Sequence, residues 1–184
     1  MSFGLGFWAA AGAGGAAAGA YEQIATIVTT TAGTQSFTSI PQTYKHLQIR
    51  GTGQVDTGNA FGSVFNMRIN GSSGTYSTHF LNGNGSSVTS SYYSASYAFE
   101  YGMRLPGSGE QPGAFIIDIL DYTNTSKHKT IRAFNGMSAT NTKNIFLSSS
   151  ALYANTAAVT SIDLANYLAS AQPYGRFSLY GIKG

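Results

Sequence analysis

No stretch of ten or more residues in this 184-residue chain repeats apolar side chains at helical spacing between capping residues. What recurs instead is a short run of alternating apolar and polar residues, closed about every eight to twelve positions by Gly, Pro, Asn or Ser. Leu47 and Ile49 fall on one side of such a run, and His46, Gln48 and Arg50 on the other. On this pattern Tyr21–Thr29, Phe37–Ile40, Tyr44–Arg50, Phe61–Asn70, Thr75–Leu81 and Tyr92–Arg104 read as strands. So do Ala114–Tyr122, Lys129–Phe134, Asn144–Leu152, Val159–Leu164 and Arg176–Ile182. Asn70–Gly71, Asn82–Gly83 and Asn84–Gly85 read as turns, and residues 162–171 hold one helical turn at most.

Many short strands without a long helix predict an all-β fold, an antiparallel β-sandwich. A jelly roll fits best. An immunoglobulin-like sandwich is the alternative, without that fold's Cys and Trp pattern. The alternation places Leu47, Ile49, Phe65, Ile69, Phe115, Ile117, Ile119, Ile145, Leu147, Phe177 and Leu179 in the core. Ala114–Leu120 has the densest apolar run and is expected to be a central strand buried on both sides.

Composition narrows the function classes. Charged residues make up 9% of the chain, and ten Lys and Arg against seven Asp and Glu give a net charge of +3. These charges are too few and too scattered for a stripe that tracks phosphates, so nucleic-acid binding is not expected. With no cysteine, disulfides and thiolate metal sites are excluded. A hydrophobic fraction of 42% at low net charge is that of a folding chain.

Composition also divides the chain into an N-terminal arm, residues 1–20, and a β-sandwich domain, residues 21–184. After Phe3, Leu5, Phe7 and Trp8 the arm is almost entirely Gly and Ala. Gly12–Ala17 matches G-x-G-x-x-A, but no strand leads into it and nothing after it reads as βαβ, so no dinucleotide cofactor is expected. The uncharged run from Phe3 to Ala20 is 18 residues, near the minimum for a bilayer span, yet Gly and Ala supply little transfer energy, and a membrane span is not expected.

Candidate chemistry is sparse. Asp118 and Asp121 lie three residues apart on a strand, so they point to opposite faces, and Asp121 is expected to cap a turn before Asn124. His46, His79 and His128 are separated and lack an acidic cluster, which argues against a metal site. His128 reads as part of a solvated turn with Lys127 and Lys129. The seven acids show no spacing that pairs two carboxylates about a glycosidic bond. No G-x-S-x-G elbow is present. Catalytic, cofactor and metal residues are therefore expected to be none. Tyrosine is the one overused residue, with Tyr92, Tyr93, Tyr97 and Tyr101 close together. Tyr among Ser, Gly and Asn suits a recognition surface, possible host-surface glycan included, because it gives rigid amphipathic contact at low entropic cost. Tyr equally suits the edge of a β core.

The segments Tyr21–Thr30, Ser36–Gly51, Ile116–Gly136 and Arg176–Gly184 together resemble a group of virion proteins of tailed bacteriophages, common in aquatic phages. The resemblance runs in order along most of the chain and includes an aromatic, Gly-rich N-terminus and a final strand ending Leu179–Lys183. It carries strand and turn signatures and no chemical site. It implies a non-enzymatic structural protein on the virion, at the tail or capsid surface, made in the host cytoplasm and assembled as a homotrimer. A short tail-fibre or baseplate-associated protein is one form of that expectation. A capsid decoration (cement or head-fibre) protein is the second form, and an enzyme acting on host glycans is the alternative from another class. Phe3, Leu5, Phe7 and Trp8 are then expected to anchor the chain to other virion proteins. Each buried side chain of that size contributes about 1.5–3 kcal/mol before the cost of ordering a Gly-rich tether.

Overall fold

The structure, a computed structural model, describes residues 19–58, 62–74, 76–99, 102–138, 145–167 and 170–184. Phe3, Leu5, Phe7, Trp8 and Tyr101 lie outside the described residues. All regular structure in the described residues is strand. In chain order the strands are β1 (Tyr21–Thr29), β2 (Gln35–Phe37), β3 (His46–Val55), β4 (Ser63–Val64), β5 (Asn66–Ile69), β6 (Tyr76–Gly83) and β7 (Val88–Ala95). There follow β8 (Arg104–Leu105), β9 (Gly113–Ile119), β10 (Lys129–Met137), β11 (Ile145–Tyr153), β12 (Ile162–Ala165) and β13 (Pro173–Ile182).

The layers are unequal. An eight-stranded antiparallel sheet runs β1-β13-β3-β9-β10-β11-β6-β7. A three-stranded sheet, β2-β12-β5, and a two-stranded ribbon, β4-β8, supply the second layer. The interior between them holds Leu47, Ile49, Phe65, Ile69, Phe115, Ile117, Ile119, Leu147, Phe177 and Leu179, as the alternation predicts. The side chain of Ile145 lies outside the described residues. Phe65, Phe115 and Phe177 meet in one ring cluster, with centroids 4.9 to 6.4 Å apart. Gly51 makes room for it: a Cβ there would lie 2.4 Å from Cζ of Phe115.

Several expectations are corrected. The central apolar strand, β9, is buried on one face only: Ile117 is fully buried, while its neighbour Ile116 is 41% exposed. Among the described residues no layer lies over its outer face, so an apolar run there does not mark burial on both sides. Phe61–Asn70 is not one strand, because β4 and β5 belong to different sheets, with Phe65 between them donating its amide to Met103 O on the β8 side. Tyr92–Arg104 likewise divides into β7 and β8, separated by a turn where Phe99 takes a positive φ of 64°. Asn82–Gly83 lies inside β6, and the hairpin to β7 turns at Asn84–Gly85. Asn84 Oδ1 accepts there from the amides of Ser86 and Ser87. Ile162–Ala165 is a strand rather than a helical turn, because β2 and β5 flank it on both sides.

Asn70–Gly71 does form a tight turn, with φ of 52° and 65°. It joins two sheets rather than two neighbouring strands. The Asn70 side chain donates to Ala158 O at 2.8 Å and accepts from the amides of Thr160 and Ser161, which ties the turn to the segment before β12. Lys129 is not solvated: it is wholly buried on the inner face of β10. Its ammonium donates to the carbonyls of Asn124, Lys127 and Thr156. Burial pushes its pKa down from the ordinary lysine value.

Candidate functional site

Alternation along a strand sends every second side chain to the outer face of the large sheet. All eight large apolar side chains that stay exposed among the described residues lie on that face: Tyr21, Val28, Leu81, Val88, Tyr92, Ile116, Phe134 and Leu152. Two of them, Tyr21 and Val28, lie on the edge strand β1, and the other six lie on β9, β10, β11, β6 and β7; exposed apolar groups clustered in this way are common at interaction surfaces.

Register shapes this face into a trough. One cross-strand row reads Arg132 (β10), Ser150 (β11), His79 (β6) and Tyr92 (β7). The next reads Phe134, Ser148, Leu81 and Ser90 in the same strands. In both rows β11 contributes a serine between two larger side chains. The depression has a volume of about 530 Å³, within the usual span of small-ligand sites. Phe134 is 47% exposed on one side; on the other, Tyr92, 55% exposed, supports the His79 ring at a centroid distance of 4.7 Å.

A polar ladder borders the trough. Asp118 on β9 accepts from Arg132 Nε at 2.8 Å through Oδ2 and from Gln48 Nε2 at 2.7 Å through Oδ1. Gln48 Oε1 accepts from Arg50 Nε at 2.5 Å, and the Arg50 guanidinium lies over the rings of Tyr21 and Tyr180. Both oxygens of Asp118 are therefore engaged in positioning neighbours. A second, smaller depression of about 310 Å³ lies across β13, β3 and β9, with Arg50 and Arg176 among its lining residues.

The three described tyrosines of the sequence-predicted set, Tyr92, Tyr93 and Tyr97, do not form one patch. Tyr92 and Tyr93 are consecutive on β7, so they point to opposite faces, and Tyr93 stacks on Phe80 with centroids 5.9 Å apart. Tyr97 stacks on Tyr167 at 4.8 Å, with the Arg68 guanidinium against both rings. Burial, reinforced by Asp163, pushes the Tyr167 phenol up to about 12. Of the described three, only Tyr92 lines the trough.

The remaining candidates separate too. Asp121 takes a positive φ of 47° in the turn after β9, and Asn124 N donates to its carbonyl rather than to its carboxylate. The carboxylate instead pairs with Lys45 Nζ at 3.1 Å, and that contact holds its pKa below the usual carboxylate range. His46 Nδ1 accepts from Asp121 N at 3.0 Å, and His128 is exposed. No group of three or more His, Asp or Glu side chains suited to a metal occurs among the described residues. Arg132, Phe134, Ser148 and Ser150 were missed as site residues. Their alternation was legible, but their juxtaposition with His79 was not. No protein-family model, curated protein or solved structure matches this chain.

Proposed function

We propose that this chain is a non-enzymatic structural protein of a tailed-bacteriophage virion, of the short tail-fibre or baseplate-associated type. In this reading the β-sandwich presents its outer face for host-surface attachment, and the N-terminal arm anchors it to other virion proteins. One observation carries the reading: every exposed large apolar side chain in the described residues gathers on one face of the eight-stranded sheet. Such a face suits a protein whose work is contact. The arm's exit supports the anchoring role, because Ala20 leads into the edge strand β1 and its carbonyl accepts from Lys183 N. At the sheet edge an arm can depart without disturbing the core.

The domain is a jelly roll in this reading. A jelly roll is an antiparallel ribbon rolled into two Greek keys, so early strands pair with late ones. The pairing of β1 with β13 and of β2 with β12, followed by β3 beside β13 and β5 beside β12, supports it. Strands β10, β11, β6 and β7 then extend one sheet. The assembly is a homotrimer, consistent with a low-charge surface that association would cover.

Quantitative mass spectrometry of purified particles tests the role. Tens of copies per virion are expected for a fibre. Hundreds would replace it with a capsid decoration protein, and absence from particles would refute a virion role. A chain lacking residues 1–20 should fold and oligomerise yet fail to join particles; incorporation at the normal copy number would refute the anchor. Light scattering that gives a 19.3 kDa species at micromolar concentration would refute the trimer.

A further inference from the structure

We propose that the trough on the outer face between β10 and β6 is a binding site for a neutral pyranose unit of a glycan. The inference deepens the attachment role proposed above and rests on it for biological meaning, though not for its chemistry. Neighbouring strands lie about 4.8 Å apart and alternate residues on one face about 7 Å apart. The two serines of β11 therefore stand between backbones about 10 Å apart, those of β10 and β6, and about 7 Å from each other along the strand, and the side chains on either side leave the depression of about 530 Å³. A single six-membered sugar ring fits there. Leu152, the next outward residue of β11 after Ser150, raises the floor at one end.

The chemistry of the walls matches the two faces of a sugar. Axial C–H groups of a pyranose pack against an aromatic or aliphatic surface, which Phe134 and Leu81 offer from opposite sides. Ring hydroxyls need partners that both donate and accept, and the hydroxyls of Ser148 and Ser150 do both. The imidazole of His79, steadied by Tyr92, adds another polar partner. The charge on Arg132 is already balanced by Asp118 at 2.8 Å. An electrically balanced trough favours a neutral ligand, whereas the second depression has two arginines among its lining residues.

The test uses the full chain and a panel of neutral oligosaccharides built on glucose, galactose, mannose and N-acetylglucosamine. Titration is followed by saturation-transfer NMR and by calorimetry. At least one series is expected to bind with a dissociation constant between micromolar and millimolar. Binding should weaken tenfold or more in Tyr92→Ala and Phe134→Ala, and be lost in Ser150→Leu, which fills the floor. All three positions face outward, so each variant's denaturation midpoint is checked against the parent to confirm folding. Absence of binding across the panel overturns the site. So does binding that survives Ser150→Leu, or a preference for sulfated or sialylated chains that disappears with added salt. Because binding is measured on the isolated protein, its failure leaves virion incorporation untouched. Absence from particles with binding intact would refute the virion reading alone.

Discussion

The two faces of the eight-stranded sheet are built from the same strands with the same alternation, yet they have opposite fates. On β9, Phe115, Ile117 and Ile119 point inward and are buried, whereas Ile116, between them, stands in solvent. On β10 the inward residues include a buried lysine, and the outward ones include an exposed phenylalanine. Residue type therefore does not identify the covered face; what packs on it does. Among the described residues the second layer has three strands and a short ribbon, and it covers one face. The other retains large apolar groups with no second layer over them among the described residues, the kind of exposure that the proposed attachment role would use.

Substitutions on β9 test that contrast most sharply. Ile117→Ala should destabilise the fold by about 2–5 kcal/mol, since it leaves a cavity in a fully packed layer. A urea-midpoint change corresponding to under about 1 kcal/mol would show that the inner face is loosely packed. Next comes Lys129→Met. It removes the donor shared by the carbonyls of Asn124, Lys127 and Thr156 and should cost about 1–3 kcal/mol, read from the same denaturation curves. Unchanged stability would mean that water satisfies those carbonyls as well as the ammonium does.

Glycines repeat the contrast. Gly51→Ala drives a methyl into the Phe115 and Phe177 rings, and should cost about 1–3 kcal/mol by overpacking. Gly136 lies on the outer face of β10 with open space where its Cβ would be, so Gly136→Ala should be neutral or slightly stabilising. Equal effects at the two positions would erase the distinction between the faces. The smallest effect is expected at Ile116→Ala, within about 0.5 kcal/mol of the parent. A larger loss would mean that the outer face is covered in the protein as it exists in solution.

Alkaline pH probes the buried phenols. Burial raises the pKa of Tyr76 and Tyr122, and pushes that of Tyr167 up to about 12. An unfolded tyrosine ionises near pH 10, so above that pH the unfolded chain gives up protons that the folded chain keeps. Phenol burial therefore makes stability fall as pH rises through 10 toward 12. Denaturation midpoints measured between pH 8 and 11, with phenolate absorbance followed in parallel, should show the decline. Full ionisation of all tyrosines near pH 10 without unfolding would contradict the burial of Tyr76.

Much of the fold was legible because period-two alternation is a local property. It identified the inward sides of β3, β9, β11 and β13, and ten predicted core residues are buried where the structure describes them. The errors occur where a second strand or sheet decides the outcome. Asn70–Gly71 has the composition of a hairpin turn, but its Asn side chain is held by a segment about ninety residues later, and the chain crosses between sheets. Lys129 looks like a surface residue among Lys127 and His128, until the loop just before it and the loop after β11 together supply the carbonyls that accept its hydrogen bonds. Tyr92 and Tyr93 look like one aromatic patch, and the pleat divides them.

The sequence by itself determined that this protein is all-β, which side chains alternate on each strand, and that no cysteine chemistry takes place. The tertiary structure alone decided which face is covered and where the outer face is hollow. The trough depends on Ser148 and Ser150 standing between Arg132 and Phe134 on one strand and His79 and Leu81 on another. That juxtaposition is set by the register of backbone hydrogen bonds between segments some seventy residues apart, and a shift of one residue would turn every side chain of β6 to the other face. Alternation is written in neighbouring residues, but register is decided by the core that the strands bury together.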